Sequence, residues 1–455
     1  MNLSKYRGSG NYSKPLFALL AFAAVTLTLL PDSAQAMPAF NRQTGQNCVA
    51  CHAGGQFPEL TPYGRLFKMT GYTIGQRAVP ISAMVVASMA KVANTTDNST
   101  TPASYLTKNG EVTLATASLL LGGKVTDNIG AFAQITYDGY ATQDPVTGQY
   151  HGHSHADNID IRYADRFISD KQDLIFGVSA NDNPSVQDPW NTSAAWMQYV
   201  PLPNTGAVSS AQFIDGTTPY PFFRSGSNIA GLSTYAFWNQ TIYAEVGGYG
   251  TSKGLTSFMS AGIDSASTTK LRGINPYWRL AYNKQWGAHN LMIGTSGMVA
   301  RIYDNAVDTG DIADTSRNTD LAIDAQYQYL LDPHAVTAQF VYTSNRAEYS
   351  ANSLALAPGN SADTTHTTRA KVSYTYQAKY GGALAVFNRT GIYAGADAGT
   401  RGATLEAYWM PMQYLRFGAQ YTRYSLYNGA STNYDGFGRN ASDNNSLFLY
   451  TWFAY

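Results

Sequence analysis

The sequence predicts an all-β chain: a transmembrane antiparallel β-barrel of about sixteen strands, preceded by a small helical segment that plugs it. Three observations predict this. Segments of alternating apolar and polar residues recur from Pro80 to Tyr455. The connections between them alternate short and long. The composition holds 33 tyrosines and only 13% charged residues, against the usual ~25%.

The alternation is clearest in mid-chain. Leu321, Ile323, Ala325, Tyr327, Tyr329 and Leu331 fall on one face, with Asp320, Asp324, Gln326 and Gln328 on the other. Ala370, Val372, Tyr374 and Tyr376 likewise oppose Arg369, Lys371, Ser373, Thr375 and Gln377. Side chains alternate faces along a strand, so these segments suit lipid outside and water inside. A soluble sandwich also alternates, and it is the repetition along the chain that favours a barrel. Segments begin near Pro80, Glu111, Asn128, Asn158, Gln172, Asn228, Gln240, Ile274, His289, Thr319, His334, Thr367, Gly382, Arg401, Gln413 and Ser446. Short connections include Asp170-Lys171, Trp286-Gly287 and Asp332-Pro333, and long ones include Ala141 to Asp157, Asn181 to Ser227 and Asp304 to Asn318. Short periplasmic turns and long external loops give this rhythm, and an even strand count brings both barrel ends to the periplasmic side. The last strand ends on Phe453 and Tyr455, resembling the assembly signal of outer-membrane barrels.

Before the barrel, residues 1–36 read as a secretory leader. Lys5, Arg7 and Lys14 precede an apolar run from Pro15 to Leu30, and Ala34-Gln35-Ala36 is a cleavage site that starts the mature chain at Met37. No later stretch is apolar and long enough for a spanning helix of ~20 residues. The formal net charge of zero argues against a nucleic-acid partner, which favours a basic patch. Residues 37–79 form the helical segment and 80–455 the barrel.

Within residues 37–79 stands Cys48-Val49-Ala50-Cys51-His52, which reads as a c-type haem attachment site. Each thiol forms a thioether to one haem vinyl group, and the next residue brings its imidazole under the iron. These are the chain's 2 cysteines. A redox CxxC opens a helix in a βαβ setting, and no such setting is legible here. Cys48 and Cys51 are therefore the expected attachment points of one covalent haem c, and His52 the iron ligand. Pro58 is the candidate partner for the imidazole Nδ1, and Phe57 and Leu60 the candidates to pack on the porphyrin. Pro62 to Met69 reads as a short helix, with Pro62 in its first turn and Gly71 past its end. The sixth ligand stays open between Met69, His289, His334 and a vacant position; Met69 equally reads as packing. Arg42 and Arg65 are candidates to pair with the propionates. About forty residues are too few to enclose a haem unaided, and the simplest cover is the inner wall of the barrel.

Three loops carry further candidates. Asn181 to Ser227, the longest connection, follows the fifth strand and holds Asp182, Asp188, Trp190, Trp196, Tyr199, Asp215, Tyr220, Phe222 and Phe223; its aromatics predict packing inside the barrel. His151, His153 and His155 alternate before Asp157 and read either as a metal cluster or as a plain polar loop. Asp304, Asp308, Asp311 and Asp314 form an acidic loop that matches no metal motif.

At this point the chain resembles a known family, the fused monohaem cytochrome–porins of the bacterial outer membrane, known as Fe(II) oxidases. The resemblance rests on Ala39-Phe40-Asn41-Arg42-Gln43-Thr44-Gly45 before Cys48, on Pro58-Glu59-Leu60-Thr61-Pro62-Tyr63-Gly64, and on Phe67-Lys68 before Gly71-Tyr72. The barrel resembles the family in architecture and length only. The resemblance implies that Cys48 and Cys51 hold the haem, that His52 ligates iron, and that the segment sits in or under the porin. It also implies passage of electrons from extracellular Fe(II) to a periplasmic c-type cytochrome or similar carrier. It does not fix the sixth ligand on Met69, nor exclude a donor other than iron. A diffusion porin with a structural or sensory haem is the alternative.

Overall fold

The computed structural model describes residues 38–55, 59–96, 98, 109–143, 150–182, 188–190, 228–260, 270–304, 308–356 and 359–455. Sixteen strands of nine to nineteen residues dominate it. They are β1 (Ile81–Val92), β2 (Val112–Lys124), β3 (Ile129–Gln143), β4 (Tyr150–Ile168), β5 (Asp173–Asn181), β6 (Ile229–Trp238), β7 (Ile242–Thr251) and β8 (Asn275–Trp286), followed by β9 (His289–Tyr303), β10 (Thr315–Leu331), β11 (His334–Glu348), β12 (Ala362–Tyr376), β13 (Tyr380–Tyr393), β14 (Thr400–Met412), β15 (Leu415–Leu426) and β16 (Ser446–Ala454). Each pairs antiparallel with its neighbours in sequence, and β1 pairs with β16 from Met84↔Ala454 to Val92↔Ser446. The sheet therefore closes on itself and has no free edge, the condition for a sheet that stands in lipid. A two-residue strand, Ala396–Asp397, folds back on the end of β13.

The alternation read from the sequence holds. In β10, Leu321 and Ile323 are 47% and 56% exposed, whereas Asp320, Asp324, Gln326 and Gln328 are fully buried. The outer wall is a band of exposed Val, Leu, Ile, Phe and Tyr side chains. At the short-turn end it carries an aromatic rim: Trp286 stacks on His289, and Trp409 on Phe417. Such a rim marks a membrane–water interface. Among the described residues no helix is long and apolar enough to cross a membrane; the strands do the crossing.

Several strands run further than the alternation predicts. β4 begins at Tyr150, not near Asn158, β10 at Thr315 and not Thr319, and β12 at Ala362 and not Thr367. Beyond the lipid band both faces of a strand meet polar surroundings, so the alternation ends while the backbone ladder continues, as in Tyr137↔Ser154 and Gln143↔Tyr150.

The N-terminal segment lies inside the short-turn end of the barrel. It comprises α1 (Pro38–Thr44), which the sequence reading did not anticipate, α2 (Cys48–Cys51) and α3 (Pro62–Met69). Phe40 of α1 stacks on Tyr72 at 5.5 Å, meets Phe67 edge-on at 4.9 Å and reaches Phe132 of β3 at 6.4 Å. Pro62 opens α3 and Gly71 follows its end, as the sequence predicts; Thr61 caps it, and Gly71 has φ +72°. Gly130 of β3 permits the contact with the wall: a Cβ there would lie 2.1 Å from the Gly71 carbonyl oxygen.

Candidate functional site

The site begins with one helical turn. The His52 N–H donates to the Cys48 carbonyl at 2.8 Å, and the Thr61 N–H donates to the Cys51 carbonyl at 2.9 Å. The chain then doubles back: the Ala53 N–H donates to the Glu59 carbonyl at 2.9 Å, and His52 and Leu60 form a β-bridge. Helices α2 and α3 cross at Gly64, where any Cβ would stand 2.1 Å from the Cys51 oxygen.

Cys48 and Cys51 are free thiols. Cys48 shares an apolar cluster with Met84, Leu120, Trp452 and Ala454 of the wall. Burial, and then the neighbouring Cys48, push the Cys51 thiol up to about 11. Burial, and then the Lys68 ammonium, push His52 down to about 4, so its imidazole is neutral at ordinary pH. Two free thiols on one turn, followed by a neutral buried imidazole, are the donor set a covalently attached haem requires. By the chemistry of these side chains the residues fit the group: Cys48 and Cys51 would attach it and His52 would ligate its iron.

Buried polar contacts fasten the segment to the wall. Lys371 of β12 pairs with Glu59 at 2.5 Å. Arg65 donates to the Leu60 carbonyl at 2.7 Å, to Gln328 of β10 at 3.0 Å and to Asn290 of β9 at 2.5 Å. The Tyr72 hydroxyl donates to Asp160 of β4 at 2.6 Å, and the Tyr235 hydroxyl of β6 donates to the Met69 carbonyl at 2.7 Å. Burial pushes Arg65 down to about 9, with Asp188 opposing, and Lys68 down to about 8, an effect to which Arg162 adds and which Asp160, Asp188 and Glu245 oppose. A cavity of about 250 Å³ opens beside Ala50, Pro62 and Tyr63 against the turn between β8 and β9.

A second piece of chain meets the segment from the lumen side. Asp188 and Trp190, in the connection after β5, are fully buried. Trp190 packs edge-on against Tyr243 at 5.4 Å and Phe237 at 6.2 Å, with the Arg65 and Arg279 guanidinium groups each 5.8 Å from its ring. Arg279 of β8 bridges Asp188 at 2.9 Å and Asp324 of β10 at 2.8 Å, all fully buried. Lys68 donates to the Asp188 carbonyl at 3.3 Å. The inward packing predicted for this connection holds at Trp190; Trp196, Tyr199, Asp215, Tyr220, Phe222 and Phe223 lie outside the described residues.

The other candidates separate. Met69 is buried among Ile175, Trp190, Tyr235, Phe237, Tyr243 and Met292, a cluster distinct from that of Cys48. His289 and His334 are corrections to the sequence reading. Their neighbours Asn290 and Met292, and Thr337, face inward, while the two rings sit on the outer rim, bonded to the hydroxyls of Tyr327 at 2.7 Å and Tyr374 at 2.8 Å. Strand parity therefore turns both away from the lumen. Arg42 donates to the Val79 carbonyl at 3.1 Å and to the Ile81 carbonyl at 2.5 Å, tying α1 to the start of β1. Phe57 and Pro58 lie outside the described residues, as do the side chains of His151 and His153. Among the described residues no three His, Cys, Asp or Glu groups converge on a metal position. The loop acids pair locally instead, Asp308 with Lys253 and Asp314 with Thr309 and Asn352.

Sequence reasoning missed Arg162 and Arg279, both fully buried on the lumen side. Their signal was available: each is a charge at an inward position of an otherwise regular strand.

No family model matches the chain, and no curated protein matches it. Among solved structures it is similar to OmpF of Salmonella typhi in complex with daunomycin, at 11% identity over 82% of this chain and 97% of that one, with a TM-score of 0.47. It is similar to the outer-membrane channel DcaP of Acinetobacter baumannii at 13% identity over 82% and 96%, TM-score 0.45. It is also similar to an anion-selective porin from Comamonas acidovorans at 10% identity over 83% and 99%, TM-score 0.42. The barrel assignment stands on the chain's own hydrogen-bond ladder.

Proposed function

We propose that the chain is an outer-membrane electron-transfer protein. It takes electrons from extracellular Fe(II) at one haem c attached through Cys48 and Cys51 and ligated by His52, and passes them to a periplasmic c-type cytochrome or similar carrier. The observation that carries this reading is the seat of the CxxCH turn inside the short-turn mouth of a closed barrel, fastened by Glu59–Lys371 and by Arg65 to Asn290 and Gln328. The alternation of short and long connections supports a periplasmic position for that mouth. When bound, the haem supplies a one-electron Fe(III)/Fe(II) couple. His52 is kept neutral for ligation, Arg65 and Lys68 hold positive charge in the dry interior, and the aromatic packing of Phe40, Phe67 and Tyr72 keeps water out. Axial ligation, burial and hydrogen bonding are the protein's levers on the potential. The sixth position stays open between Met69 and a vacant site, and Met69→Leu, which preserves its packing volume, separates the two through the haem spectrum.

A second reading, a diffusion porin with a structural or sensory haem, is favoured by the polar inner wall, where Asp320, Asp324, Arg369 and Lys371 face the lumen. Stopped-flow mixing of the purified oxidised protein with Fe(II), followed in the haem absorbance beside His52→Ala, separates the readings. Rapid reduction of wild type and loss of the normal response in the variant support iron oxidation. A haem that dithionite reduces and Fe(II) does not would overturn it and send the search to other donors. Large steady conductance across a planar bilayer would favour the porin.

A further inference from the structure

We propose that the outer wall between β12 and β15 binds a phosphorylated acyl lipid of the surrounding membrane, in the leaflet on the side of the long connections. A groove of about 450 Å³ opens on this wall, within the size range of small-molecule sites. The strand register shows how it forms. Ala370, Val386, Ala403 and Arg423 lie in one row across the four strands. The next row toward the short turns is Val372, Leu384, Leu405 and Tyr421, all bulky, apolar and exposed. Two alanines beside that bulky row leave a recess with an apolar floor, shaped for hydrocarbon.

The other side of the recess is polar and positively charged. Arg401 pairs across strands with Asn388, and its Nε donates to the Asn388 side-chain oxygen at 3.0 Å. Arg401 and Arg423 both line the groove and are exposed, and no carboxylate lines it. Their height decides what they meet. Eight residues separate Arg401 from Trp409 of the short-turn rim, roughly 27 Å along the strand and roughly 20 Å in height at a tilt of ~40°. An apolar band is ~25 Å tall, so the Arg401 backbone stands within roughly 5 Å of its far edge, a gap its long side chain spans by snorkelling to the headgroup level. Arginine binds phosphate oxygens through two parallel bonds. An anionic headgroup on Arg401 and Arg423 thus places its acyl chain over Ala370, Val386 and Ala403. A second outward cation pair, Arg317 and Arg346, shares one carboxylate, Glu348, at 3.4 Å and 3.1 Å, which halves its charge, and it serves as the internal control.

The test is native mass spectrometry of the delipidated full chain in detergent, titrated with lipid A, and in parallel with phosphatidylcholine, whose phosphate is offset by choline. Wild type is expected to retain one lipid A in preference to phosphatidylcholine. Arg401→Gln with Arg423→Gln is expected to weaken that binding roughly thirtyfold, from two cations near a headgroup. Ala403→Leu, which keeps both arginines and fills the recess, is expected to weaken it as well, and Arg317→Gln with Arg346→Gln to leave it unchanged. Equal binding of the two lipids, equal binding by wild type and the Arg401/Arg423 variant, or full displacement by inorganic phosphate alone would overturn the proposal.

Discussion

Replacing Arg279 by methionine is the sharpest test of how the lumen is held together. In the native chain its guanidinium lies between two carboxylates, ion-paired with Asp188 at 2.9 Å from Nε and bonding Asp324 through two nitrogens at 2.9 Å and 2.8 Å. All three side chains are fully buried. Removing the cation leaves two like charges in the interior, and breaking such a group by removing one partner costs about 3–5 kcal/mol. Asp188→Asn is milder: Arg279 keeps its two bonds to Asp324, so only one of its two ion pairs is lost. Replacing all three together, by Asp188→Asn, Arg279→Met and Asp324→Asn, removes every buried charge of the group and is expected to recover most of the Arg279→Met loss, because neutral groups of similar volume often substitute without penalty. The first variant also acquires a pH dependence. Burial pushes the Asp188 carboxyl up and Arg279 opposes it; without Arg279, burial and Asp324 both act upward. A carboxyl raised in the folded state stabilises at low pH and loses that contribution as pH rises through the raised value. Equilibrium urea unfolding of the refolded barrel at two pH values measures both effects. An Arg279→Met variant within about 1 kcal/mol of wild type, or a triple variant no more stable than it, would refute the bridging role.

Two further outcomes follow from the same interior. Burial, with Asp157 and Asp160 adding, pushes Asp182 up from 3.8 to about 8, against the bond it accepts from the Ile159 N–H at 2.7 Å. The folded chain therefore holds a proton that the unfolded chain releases, stability falls as pH rises between about 4 and 8, and Asp182→Asn is expected to flatten that slope in thermal unfolding; an unchanged slope would count against it. Gly64→Ala forces α2 away from α3 at the Cys51 carbonyl, with an overpacking penalty of about 1–3 kcal/mol, and is expected to lower covalent haem per folded barrel in a pyridine haemochrome assay; full occupancy would show that the crossing tolerates a methyl group.

The barrel was legible because its physics is local. Lipid on one face and polar groups on the other leave a period of two wherever a strand crosses the bilayer, as in Leu321 to Leu331, and turn residues mark the short connections. Legibility failed where that environment ended. His151 to Asp157 read as loop because neither face there is apolar, although the ladder runs through it. His289 and His334 read as rival iron ligands because both fall in expected periplasmic turns; at a strand's first residue one position decides the face, and parity puts both rings on the outer rim. The CxxCH turn and the capped helix after it were legible from spacing. The partners of that segment were not, since Glu59 finds Lys371, and Arg65 finds Asn290 and Gln328, across more than two hundred positions of chain. Only the closure of the barrel brings them together.

That dependence bears on how the N-terminal segment is regarded. Residues 37–79 divide from the barrel by composition, yet they bury Met69, Arg65 and Lys68 against wall and lumen groups. A segment of about forty residues lacks the area to stabilise itself, and two buried cations make its isolated fold costlier still. The wall supplies what the segment lacks: Asn290, Gln328 and Glu59–Lys371 satisfy its polar groups, and Ile175, Tyr235 and Phe237 complete its apolar packing. In return the segment and Trp190 fill a lumen whose inward charges would otherwise face water. The CxxCH turn and the barrel are thus one cooperative unit, so a substitution in the wall, such as Lys371 or Asn290, is expected to disturb the surroundings of Cys51 and His52 without touching either.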